Sequence, residues 1–99
     1  MSDEVENRNR AVLDAAVALA ERHGMGAVTR PRVADESGLS TGTVSNAFGS
    51  MDALRDAVVA AAVEREIVVI VAQGLAERYP AAMNAPAELK QRALAQIAA

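Results

Sequence analysis

Helical periodicity in this chain stops at Gly38 and resumes at Ser40, so two short helices must meet across a tight turn. The first carries Val33 and Ala34 inward. The second, capped by Ser40, runs through Thr43 and Val44 to about Phe48. A helix-turn-helix unit of this kind holds its second helix rigidly against the first, so that the outer face can enter a major groove. Val33, Ala34, Leu39, Val44 and Phe48 form the expected buried side, and the small Ala34 lets the two helices cross closely.

The outer side of the second helix offers Thr41, Gly42, Thr43, Ser45 and Asn46, all small or polar and none charged. A merely solvated face would more often carry Lys or Glu. Asparagine can make a bidentate contact to adenine, and threonine offers a methyl group to thymine together with a hydroxyl. Within this motif, base reading is favoured over a plain surface helix.

The remainder of the chain also reads as helical, giving an all-α fold. Residues 1–9 are expected as a flexible, mixed-charge arm. Arg8 there and Arg10 just after it could follow a minor groove, but Asp3, Glu4 and Glu6 favour a solvated arm. From Arg10 the stripe Val12, Ala16 and Leu19, flanked by Leu13, Val17 and Ala20, marks a helix that ends at His23-Gly24. Thr29 is the expected N-cap of the next helix, with Pro31 in its first turn. Gly49-Ser50 closes the head at residues 10–50, and Ser50 caps a fourth helix with Asp52 in its first turn.

That fourth helix is expected to run from Met51 to Arg78, roughly 40 Å at 1.5 Å per residue. The β-branched run Ile67 to Val71 could be a strand in isolation. An alanine-rich approach and the lack of any partner strand favour helix. Gly74 is placed to bend its end, Tyr79-Pro80 to close it, and Asn84 and Pro86 announce a last helix with Leu89, Ala93 and Ile97 on one face.

Of the 99 residues, 52% are hydrophobic, but Ala and Val dominate, with one Phe, one Tyr and no Trp. Such side chains leave a monomer little area to bury, which favours self-association. Residues 57–63 and 67–72 are apolar nearly all round and demand cover on several sides. Val59, Val63, Ile67, Ile70, Val71 and Leu75 are therefore assigned to a homodimer seam in a helical region at 51–99, together with Leu89 and Ile97.

Several function classes are disfavoured. The chain has no cysteine, a single histidine (His23) outside any ligand cluster, no glycine-rich phosphate loop and no Ser/His/Asp constellation. Glu64 and Glu66, two residues apart, do not share a helix face. No enzyme activity, metal or cofactor is expected. Met1 to Arg10 is polar and acidic, unlike a signal peptide, and no apolar stretch approaches the roughly 20 residues of a membrane span. A cytoplasmic protein is the expectation. The net charge of −3 argues against strong nucleic-acid affinity. Most of the acids, however, lie in the arm and the fourth helix and none in the recognition helix, so a modest affinity with few phosphate contacts is expected.

An ordered set of fragments resembles the N-terminal domain of the TetR family of bacterial regulators. These are Ala-Val-Leu-Asp-Ala-Ala at 11–16, Glu-Arg-His-Gly at 21–24, Ala-Val-Thr at 27–29 and Val-Ala-Asp-Glu-Ser-Gly-Leu-Ser at 33–40. Gly42-Thr43-Val44, Phe48-Gly49-Ser50 and Ala53-Leu54 complete them. The resemblance runs from Arg10 to Leu54. It implies a three-helix DNA-binding head, a fourth helix leading to a dimerising part, and repression at a palindromic operator in double-stranded DNA.

By position, the resemblance implies base contacts from Thr41, Gly42 and Thr43, a phosphate contact from Thr29, and further contacts from Ser45 and Asn46. Ser40, Arg30 and Arg32 complete the candidate DNA-binding set, the arginines lying where phosphates would pass. Three departures stand out. The family usually has an aromatic at Ser45, a histidine or aromatic at Asn46 or Ala47, and a lysine at Met51, so part of the backbone grip is missing. The family also runs to about twice this length with a C-terminal ligand pocket, so a small-molecule effector is not expected. The alternative reading is a protein-interaction module, in which a degenerate head rides on a helix that pairs with another regulator or a larger DNA complex.

Overall fold

A computed structural model describes residues 2–98. Seven α-helices run in chain order among these residues: α1 (Ser2–His23), α2 (Arg30–Ser37), α3 (Thr41–Ala47), α4 (Met51–Arg65), α5 (Val68–Ala76), α6 (Pro80–Met83) and α7 (Ala87–Ala98). A single 3-10 turn, Met25–Ala27, separates α1 from α2, and no described residue is in a strand. The expected all-α class, with a helix-turn-helix head and further helices behind it, is what the chain adopts.

The head forms where local chemistry dictates it. Gly24, at φ 91°, ends α1 in a conformation that favours glycine, with its N–H donating to the Ala20 carbonyl at 2.8 Å. Ser50 caps α4 by accepting from the Ala53 N–H at 3.0 Å. Val12 and Ala16 of α1, Val33 of α2 and Leu54 of α4 have no exposed surface, and Val44 of α3 has almost none. These side chains lock the three head helices to α4.

Two expectations about helix extent are corrected. Residues 2–9 are helical rather than an irregular arm, because α1 begins at Ser2, and Met1 lies outside the described residues. Asp3 and Glu4 lie in its first turn, where their charge favours the exposed N–H groups of a helix start. Further on, the single long helix from Met51 to Arg78 does not exist. It breaks at Glu66, leaving α4 about 22 Å long at 15 residues.

Glu66 takes a left-handed φ of 56°, the Ile67 N–H reaches back to the Ala62 carbonyl at 2.9 Å, and the Glu66 N–H to Val63 at 3.3 Å. This is a Schellman stop built without glycine. A second one ends α5: Arg78 sits at φ 63°, and the Tyr79 N–H donates to the Gly74 carbonyl at 2.8 Å. Left-handed backbone at such residues costs about 1–3 kcal/mol each, offset by the packing that the reversals permit. Arg92 of α7 pins the first reversal through a 2.7 Å ion pair with Glu66. Tyr79 lies half-buried after the second, and burial, then the charge of Glu77, push its phenol above the ordinary tyrosine value.

Folding back, α5 packs on α4, α6 and most extensively on α7. The dimer-seam assignment changes accordingly. Val59, Ile70 and Val71 have no exposed surface within one chain, and Leu89 has 5%. They are core residues of the monomer, because α5 and α7 supply the cover that a straight fourth helix would have needed from a second copy. Val63, Ile67 and Leu75 are half-buried against the same core, and only Ile97 is well exposed.

Gly74 sits at the tightest crossing. A Cβ there would meet Ala82 Cβ at 2.8 Å and Val59 Cγ1 at 2.9 Å. Gly74→Ala should therefore destabilise the fold by about 1–3 kcal/mol through overpacking, despite alanine's better helix propensity. A denaturant melt of the variant checks this, and an unchanged or raised midpoint would contradict the close crossing.

Candidate nucleic-acid interface

The turn between α2 and α3 is held by bonds that its own residues supply. Gly38, at φ 74°, donates its N–H to the Ala34 carbonyl at 2.9 Å and ends α2. Ser37 Oγ donates to the same carbonyl at 3.3 Å and accepts from the Leu39 N–H at 3.3 Å. Ser40 Oγ accepts from the Thr43 N–H at 3.1 Å, and the Ser40 and Thr43 hydroxyls lie 2.9 Å apart. The Ser40 side chain is thus committed to starting α3. Thr29 occupies the N-cap position of α2, but its hydroxyl makes no capping bond and remains available to an outside partner.

At 100° per residue, burying Val44 turns Gly42 and Asn46 outward on the opposite side of α3. Both are exposed, as is Thr41, whereas Thr43 and Ser45 are half-buried on the two flanks. The exposed face of α3 therefore centres on Gly42 and Asn46, with Thr43 and Ser45 at its edges. No charged residue occurs from Ser37 to Met51, so the face presents hydroxyl, amide and backbone groups.

The candidate arginines separate. Arg30 is exposed at the start of α2 and joins no ion pair among the described residues. Arg32 instead lines a groove on the α1 side with Leu19, Arg22, His23, Asp35 and Glu36. Arg22 closes on Glu36 at 2.7 Å there, tying the end of α1 to α2. That groove does not include the residues of α3.

The sequence reading missed a second element beside α3. Val5, Arg8 and Asn9 of α1 line a groove of about 210 Å³ with Thr43, Asn46 and Ala47. The signal was present: positions 5, 8, 9 and 12 follow helical spacing, and Val12 continues the stripe into the core.

Behind the head, α5 braces the turn after α1. Gln73 Oε1 accepts the Met25 N–H at 2.6 Å, and a Cβ on Gly24 would approach Gln73 Nε2 to 3.3 Å. Among the described residues no helix is long and apolar enough to cross a membrane, and no group of three or more His, Cys, Asp or Glu could hold a metal ion.

Residues 12–58 match the family model described as bacterial regulatory proteins, tetR family. The match begins within α1, spans the whole helix-turn-helix and ends in α4 at Val58. No curated protein and no solved structure matches the chain.

Proposed function

We propose that this chain is a cytoplasmic, sequence-specific transcriptional repressor that binds a palindromic operator as a homodimer, a reading supported by the match of residues 12–58 to the bacterial regulatory proteins of the tetR family. The observation that carries the reading is the exposed, charge-free face of α3 centred on Gly42 and Asn46. Thr41, Gly42 and Asn46 approach base edges, Thr43 and Ser45 follow at the flanks, and Ser40 sets the helix start. Thr29 and Arg30 take phosphates at the start of α2. Residues 10–50 act as the reading head and 51–99 as its support.

The dimer now rests on other side chains. Val69, Met83, Leu94 and Ile97 are the large apolar residues left exposed on the tail helices, at 39%, 47%, 53% and 53%. Pairing through the tail leaves both heads free to meet successive major grooves about 34 Å apart. A solution mass of twice 10.3 kDa is expected, and a clean monomer on operator DNA would remove this part of the proposal.

Asn46→Ala should relax preference at one or two base pairs by about 1–3 kcal/mol, with the fold unchanged. Binding profiles on single-substituted duplexes measure this. An identical profile would take base reading away from Asn46.

A further inference from the structure

The groove between the first turns of α1 and the exposed edge of α3 belongs to neither the head's core nor the turn itself. Its walls come from two helices: Val5, Arg8 and Asn9 on one side, Thr43, Asn46 and Ala47 on the other, enclosing about 210 Å³. Arg8 is exposed and joins no ion pair among the described residues. Four polar or charged side chains thus converge on a concavity that opens beside the reading face. We propose that this groove seats a phosphate of the DNA backbone, with Arg8 as its principal ligand and Asn9 as a second donor. The inference rests on α3 entering a major groove.

The geometry supplies the reason. A helix lying in a major groove is flanked by the phosphate ridges of both strands, and the Thr43–Asn46 flank of α3 is the one that α1 borders. A guanidinium offers a fork of five donors suited to phosphate oxygens. Holding Arg8 on a continuous helix from Ser2 to His23 lowers the ordering cost that a flexible arm would bear on binding. The nearby acids do not occupy the seat. No acid is among the residues lining this groove, and Glu6 and Asp14 line the adjoining one, which Asn9 also borders. The extra contact partly replaces the backbone grip missing at Ser45, Asn46 and Met51.

The test compares wild type, Arg8→Gln and Arg8→Lys on one duplex that the wild type selects, titrated across a salt series. Gln keeps helix propensity and hydrogen-bonding length but removes the charge. Arg8→Gln should weaken binding roughly three- to tenfold and flatten the slope of log K against log salt by about 1.8 for the dimer, about 0.9 for each half-site. Arg8→Lys should keep the wild-type slope, and neither variant should alter base preference. Unchanged affinity and slope in Arg8→Gln, while wild type binds specifically, would overturn the phosphate seat and leave base reading by α3 standing. A changed base preference would also overturn it, making Arg8 a base reader. Failure of wild type to bind any duplex would remove both readings.

Discussion

Gly42→Leu is expected to lower specific DNA affinity by about 100-fold, roughly 3 kcal/mol, while the protein stays folded. The two effects separate because of where Gly42 stands. It lies in the middle of the exposed face of α3, and the nearest atom to an added Cβ is Ser40 Oγ at 3.9 Å. Nothing in the protein resists a larger side chain there, and leucine favours helix over glycine by about 0.8–1 kcal/mol. Any penalty therefore comes from outside. A branched side chain at the closest point of approach holds α3 away from the base edges and breaks the neighbouring contacts of Thr41 and Asn46. Thermal melting followed by circular dichroism, paired with an anisotropy titration, reads both effects. A variant that melts no lower than wild type and still binds within threefold would show that this face does not meet DNA.

The second large effect lies in the tail. Ile70→Ala should cost about 2–5 kcal/mol of folding stability, because Ile70 is wholly buried and its removal leaves a cavity. For a chain of this size each kcal/mol lowers the melting midpoint by about 4–8 °C. The loss should be the same at high and low protein concentration, since the residue is covered by its own chain. A seam residue would behave differently, its effect depending on concentration through the dimer equilibrium. Because α5 also braces the α1 turn through Gln73 and Met25, loosening α5 should lower DNA affinity as well.

Capping and turn chemistry made the head legible residue by residue. Ser40, Ser50, Gly24 and Gly38 act on neighbours within a few positions, so their roles follow from local pattern alone. The break after α4 is different. It places glutamate where glycine or asparagine is usual, and what holds it is distant: Arg92, 26 positions later, and the burial of Ile70 and Val71. Neither is visible in a window of sequence, so Met51 to Arg78 reads as one rod.

The same distance effect explains the misassigned seam. A segment apolar all round must be covered, but periodicity does not say whether the cover comes from a second copy or from α5, α6 and α7 folding back. At the other end, the acids of the first turn suggested a solvated arm, whereas the stripe Val5, Asn9 and Val12 carries α1 outward along α3. The candidate reading face is legible in the sequence, because Thr41 to Asn46 is uncharged where a solvated helix seldom is. Its most outward residues opposite the buried Val44 are Gly42 and Asn46.

The central claim is that α3 reads DNA sequence, and repeated selection of the purified chain on random duplex DNA tests it most directly. The account predicts enrichment of one palindromic sequence whose half-sites lie about one helical turn apart, with binding that falls only gently with salt. Recovery of no preferred sequence would contradict it, and would favour a head that has given up DNA for a protein partner.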